Sequence, residues 1–107
     1  MIVEYIRYTS DPSRTEEFDD AYCRAGALLD ASPHCLSGEA ARCVDDPGKQ
    51  IVCIEWDSVE GHLDGFRKSA DFKPFLQATR PFFEDIEEMT RYDITGGACS
   101  IRRGIAA

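Results

Sequence analysis

A chain of 107 residues can close one hydrophobic core, and no stretch of its composition marks a linker to a second. Its 20 acidic against 12 basic residues give a formal charge of −8, which repels nucleic-acid backbones and anionic lipid surfaces and leaves small neutral or aromatic ligands as the partners to consider. No apolar run approaches the roughly 20 residues of a bilayer span, and Met1 leads straight into strand-like sequence rather than a signal segment, so a cytoplasmic protein is expected.

Taken in chain order, residues 2–8 (IVEYIRY) are rich in branched and aromatic side chains and predict a strand. Asp11-Pro12-Ser13 gives a turn and a helix start, with Glu16 and Glu17 where the helix dipole favours negative charge. Phe18, Tyr22, Ala25 and Leu29 recur at helical spacing, and this helix should stop before Pro33. Residues 34–44 predict a second strand. Asp45-Asp46-Pro47-Gly48 is turn chemistry leading into a third strand over 50–56, so the two form a hairpin.

Ser58 can cap the next helix, where Val59, His62, Leu63 and Phe66 fall on one face. A restart at Ser69 or Asp71 continues through Phe72, Phe75, Leu76 and Thr79. Pro74 suits the first turn of that restart, and Pro81 predicts a kink or an end. Residues 87–94 predict the last strand. Residues 1–95 are expected to form the folded domain and 96–107 a tail, flexible or packed on a partner subunit.

The order β-α-β-β-α-β is the split βαβ arrangement, an α+β, ferredoxin-like fold with a four-stranded antiparallel sheet and both helices on one face. Consecutive apolar residues in Ile51-Val52-Cys53-Ile54 and Ile2-Val3 ask for cover on both sheet faces, whereas two helices cover only one. A face-to-face homodimer answers that demand.

Five cysteines, Cys23, Cys35, Cys43, Cys53 and Cys99, are scattered singly, without the paired spacing of a zinc site, and fit reduced thiols. Cys35 follows His34, but strand neighbours point to opposite faces and nothing supplies a third group. Metal-binding helix motifs, glycine-rich phosphate loops and the G-x-S-x-G elbow are absent, so no metal and no nucleotide cofactor is expected.

Only His34 and His62 titrate near neutrality in an ordinary environment. His62, beside Leu63 and Phe66, is a candidate base or else a packing residue at the margin of a helix stripe. Its neighbours three and four residues away are not acidic, so a carboxylate orienting it must come from another element. Trp56 is either core or an aromatic cavity wall. Arg80 and Arg91 are candidates to steer an anionic substrate group or to pair with acidic neighbours. Phe66, Phe72, Phe75, Phe82 and Phe83 are helix-spaced, mostly for the core, with one or two left for a pocket that receives a planar ring.

The segment 54–75, in Glu55-Trp56, His62, Gly65-Phe66-Arg67, Ser69, Phe72 and Phe75, resembles the antibiotic biosynthesis monooxygenase family, and Arg91-Tyr92 echoes its terminal strand. The resemblance implies a dimeric α/β barrel of ferredoxin-like subunits. It also implies a cofactor-independent monooxygenase that lets an electron-rich phenolate reduce dioxygen in an apolar cavity. On that reading the substrate is a small aromatic, quinol-type phenol, with His62 as the catalytic base and Trp56 as the cavity wall; Phe66, Arg80 and Phe83 are the further substrate-binding candidates that the residues themselves suggest, with no metal. Histidines that many members carry are replaced by Phe66 and Asp71. A related haem-degrading branch uses an asparagine, and this chain has none. A non-oxidative cyclase or isomerase in the same cavity, or a non-catalytic dimeric binding module, are the alternatives.

Overall fold

The structure, a computed structural model, describes residues 1–95; the expectation for the tail at 96–107 lies outside them. Period-two alternation builds the sheet. In β1 (Ile2–Thr9) the side chains of Ile2, Glu4, Ile6 and Tyr8 are buried, while Val3, Tyr5 and Arg7 take the opposite face. In β3 (Lys49–Trp56) Gln50, Val52, Ile54 and Trp56 are buried in the same way. With β2 (Cys35–Arg42) and β4 (Ile86–Asp93) these strands form one antiparallel sheet in the order β2-β3-β1-β4. That is the ferredoxin-like α+β fold expected from the element order.

The first helix begins where the Asp11 carboxylate accepts the Ser13 N–H at 2.9 Å, with Pro12 opening a short 3-10 turn. It continues as α1 (Thr15–Asp30) and buries Phe18, Ala21, Ala25 and Leu29. Phe18 is the centre of an aromatic cluster on the inner sheet face. Its ring lies 5.1 Å from those of Tyr8 and Phe82, both edge-on.

The second helical region breaks into three pieces, more than the two segments expected. Ser58 caps its start, Oγ accepting the Gly61 N–H at 2.9 Å. A π-helical turn comes next over Gly61–Phe66, then α2 (Phe72–Thr79), then a 3-10 turn over Arg80–Asp85 in which Pro81 sits near the start. Pro81 has no amide hydrogen to continue the α ladder, and the chain tightens and turns outward there. β4 starts at Ile86, one residue earlier than the pattern suggested. None of the helices among the described residues is long and apolar enough to cross a membrane.

Candidate active site

The site begins with a carboxylate where β1 alternation calls for an apolar residue. Glu4 lies between Ile2 and Ile6 on the inner face and is only 5% exposed. Its register partner on β3 is Ile54, two residues before Trp56. The indole Nε1–H therefore reaches Glu4 Oε1, at 3.2 Å. Burial raises the Glu4 pKa above the usual carboxylate range, and the Trp56 hydrogen bond and the charges of Arg67 and Arg91 offset only part of that.

The π-helical turn supplies the histidine. Its wider loop is closed by the Arg67 N–H donating to the His62 carbonyl at 3.1 Å. Gly61 and Gly65 leave a notch for the His34 ring, since a Cβ at either position would overlap that ring or the Asp57 carboxylate. His34 Nδ1 is held 2.9 Å from Asp57 Oδ2 at the end of β3. His34 thus braces the turn rather than activating Cys35. The Cys35 thiol donates to the Ser37 carbonyl at 3.6 Å, and burial pushes its pKa up, away from the nucleophilic thiolate.

From this braced turn His62 and Phe66 enter the core. The His62 ring stacks on Trp56 with centroids 4.5 Å apart and planes 13° from parallel. Its Nε2 is 3.5 Å from Glu4 Oε1, the same oxygen that accepts from Trp56. Its Nδ1 is buried and has no hydrogen-bond partner among the described residues. Burial first, then the positive charges of Arg67 and Arg91, push the His62 pKa down to about 4, so the imidazole is neutral at physiological pH.

Around this pair opens a cavity of about 340 Å³. Trp56, Phe66, Phe72 and Phe75 form an aromatic wall, Phe83, Leu76, Ile86 and Met89 close other sides, and Glu4, His62 and Tyr8 are buried titratable groups in the lining. The Phe66 ring stands 5.3 Å from Phe75 and 5.7 Å from Phe72, edge-on to both. Adjoining the cavity, and sharing Glu4, His62, Arg67 and Met89 with it, is a more open hollow also lined by Leu63, Thr90 and Arg91. A smaller cavity of about 220 Å³ lies between α1 and β2 beside Cys35. None of its lining residues carries an unpartnered buried polar atom among the described residues, unlike the aromatic cavity.

Of the residues singled out from the sequence, His62, Trp56, Phe66 and Phe83 meet in this cavity. Arg80 does not. It is exposed at the start of the 3-10 turn after α2 and is not part of the lining, to which Thr79 before it, Phe83 after it and Arg67 belong. The carboxylate beside His62 comes from another element, as its helical neighbours required, but Glu4 itself went unnoticed. Its signal was there in the first strand: a glutamate in phase with Ile2, Ile6 and Tyr8. Among the described residues no cluster of three or more histidine, cysteine or acidic side chains is arranged to hold a metal ion.

A ferredoxin-like sheet whose inner face carries a buried carboxylate, imidazole and indole beside an aromatic cavity defines a protein of the α+β class. The sequence model of the antibiotic biosynthesis monooxygenase family matches residues 1–78, and the chain belongs to that family. The uncharacterized protein YczJ of Bacillus subtilis is 24% identical over 68 residues, 64% of this chain and 72% of that one. SnoaB, described as a cofactor-independent oxygenase from Streptomyces nogalater, superposes with a TM-score of 0.73 at 16% identity, covering 92% of this chain and 97% of its own. Rv0793 from Mycobacterium tuberculosis gives 0.70 at 15% identity, with 91% and 97% covered. At such identities the structural likeness shows the fold alone.

Proposed function

We propose that this chain is a cofactor-independent monooxygenase that oxidises a small, planar, phenolic substrate of the anthrone or quinol type with dioxygen. The observation that carries the reading is His62, which lines the aromatic cavity with its Nδ1 buried and unpartnered among the described residues and its Nε2 3.5 Å from Glu4. A buried polar atom without a partner is costly, and a ring hydroxyl entering the cavity would satisfy it. Family membership and the description of SnoaB as a cofactor-independent oxygenase support the same chemistry.

In the proposed reaction Nε2–H is turned to the ionised Glu4 carboxylate, leaving Nδ1 as the bare acceptor. The substrate hydroxyl gives its proton to Nδ1, and Glu4 stabilises the imidazolium that forms. The phenolate is electron-rich enough to pass an electron to dioxygen, and recombination of the two radicals forms a carbon–oxygen bond. For an anthrone, the ring methylene becomes a carbonyl: one oxygen atom enters the product, the other leaves as water with the two methylene hydrogens. Substrate supplies all the electrons, so the scheme calls on no flavin, haem or external reductant. Trp56, Phe66 and Phe83 provide stacking surface and exclude water.

Oxygen uptake is the test. Chelator-treated protein offered a panel of anthrones and hydroquinones should consume one dioxygen per anthrone oxidised, faster than the spontaneous reaction. The same dyad can move protons in a cyclisation or isomerisation, and turnover of a phenolic substrate without oxygen uptake would favour that second reading. The open cavity argues against a purely scaffolding module.

The assembly we propose is a homodimer through the sheet face away from the helices, which presents Val3, Tyr5, Ile51 and Cys53. An obligate interface of this kind should bury more than about 2,000 Å² in total. Sedimentation equilibrium should give twice the chain mass at micromolar concentration; a monomer there would contradict it.

A further inference from the structure

Arg67 and Arg91 are the positive groups that the oxidation scheme leaves unused. They come from distant parts of the chain, the residue after the π-helical turn and the later half of β4, yet both line the open hollow that adjoins the aromatic cavity at Glu4 and His62. Arg91 is the β4 register partner of Glu4, which sets it beside the carboxylate on the inner side of the sheet. Three other arginines are neutralised, Arg7 by Glu88, Arg14 by Glu17 and Asp85, and Arg42 by Asp19, while Arg24 and Arg80 stand exposed and away from the cavity. Arg67 and Arg91 have no carboxylate within ion-pair distance among the described residues, although the chain carries 20 acidic residues. The guanidinium carbon of Arg67 lies 6.0 Å from the centre of the Phe72 ring.

We propose that Arg67 and Arg91 form an anion subsite at the mouth of the aromatic cavity, and that the substrate is a hydroxylated aromatic bearing a carboxylate. The inference rests on the reading of the cavity as a phenol-oxidising site and narrows its substrate class. The two hollows share Glu4, His62, Arg67 and Met89, so one molecule can lay its ring against Trp56 and Phe66 and direct an acidic substituent to the arginines. A planar carboxylate matches the guanidinium fork. A dianionic phosphate is disfavoured by a surface of net charge −8. The anion also assists the chemistry, because both arginines oppose protonation of His62 and a bound carboxylate screens them as the imidazolium forms.

Binding can be read without turnover. Trp56 is the sole tryptophan and stacks on His62, so its fluorescence reports occupancy of the cavity. We expect a hydroxynaphthoic acid to quench it with at least ten-fold higher affinity than the naphthol of the same ring skeleton at low salt, an advantage that shrinks as salt is added. Arg67→Gln and Arg91→Gln, both exposed and tolerant of substitution, should each collapse that ratio toward one. Equal affinities for the two ligands, or a preference that survives both substitutions, would overturn the subsite. Failure of the oxidation reading looks different: acid-dependent quenching would persist while no phenol in the panel drives oxygen uptake.

Discussion

His62→Ala is expected to lose about a hundred- to ten-thousand-fold in kcat, the usual loss on removing a general base. The alanine leaves a void under Trp56, so His62→Phe is the companion variant: it retains an aromatic stack and should lose the same activity. Circular dichroism and sedimentation would confirm that both variants stay folded and assembled. The pH profile carries a second signature. Nδ1 is the bare acceptor only when Glu4 is ionised, and the two groups titrate as a pair. Activity should therefore fall off on the acid side above the 4.5 of an ordinary glutamate, because burial raises the Glu4 pKa. In Glu4→Gln the amide oxygen still accepts from Nε2–H, kcat drops because the imidazolium loses its counter-charge, and the acid limb moves toward the His62 value of about 4. Parental turnover by His62→Phe would make the histidine a packing residue.

Glu4→Gln should also be more stable than the parent chain at pH 8, with the difference shrinking toward pH 4. The folded protein holds the Glu4 proton at pH values where an unfolded glutamate, with a pKa of 4.5, has released it. Between 4.5 and the raised folded value the folded state binds more protons, so stability falls as pH rises, by up to about 1.4 kcal/mol per pH unit. Glutamine keeps an acceptor for the Trp56 indole and removes that loss. His62 acts with the opposite sign. Its pKa drops from 6.5 unfolded to about 4 folded, so its contribution is complete above 6.5 and is lost as pH falls through that window. The two effects overlap between about 4.5 and 6.5, and urea titrations of Glu4→Gln and His62→Phe across pH 4 to 9 separate them. If Glu4→Gln is less stable than the parent at pH 8, Glu4 is a stabilising partner and the account of its burial is wrong.

A carboxylate that destabilises the fold yet sits against the Nε2 of an imidazole whose Nδ1 is buried without a partner fits a group retained for chemistry. It also marks the limit of what the sequence made legible. The strands were readable because Ile2, Ile6 and Tyr8, and Val52, Ile54 and Trp56, alternate strictly, and the helix over Phe18 to Leu29 because its apolar spacing is regular. Glu4 was hidden by the same rule, since a strand with two apolar faces invites attention to its apolar residues and not to the exception. The π-helical turn was hidden for another reason. Spacing of 3.6 residues places Val59 with His62 and Phe66, yet Val59 is 39% exposed, because the wider turn shifts the register of the residues beyond it. Gly61 and Gly65 hint at a close approach, but nothing local says that His34 is the group that approaches. The sequence offers Arg80 and Arg91 alike as groups to steer an anion, and nothing local separates them from Arg67 in the Gly65-Phe66-Arg67 run that carries the family resemblance. Only the folded arrangement, with β4 beside β1, shows that Arg67 and Arg91 share an opening with Glu4 and His62.

Isotope labelling tests the central claim most directly. Chelator-treated protein should be incubated under ¹⁸O₂ in unlabelled water with an anthrone-type phenol selected by the oxygen-uptake screen, and the product examined by mass spectrometry. The account predicts that one labelled oxygen atom enters each quinone, that incorporation outpaces the protein-free reaction, and that the enzymatic excess disappears in His62→Phe. A product formed at the enzymatic rate without label, or with its new oxygen drawn from water, would contradict it.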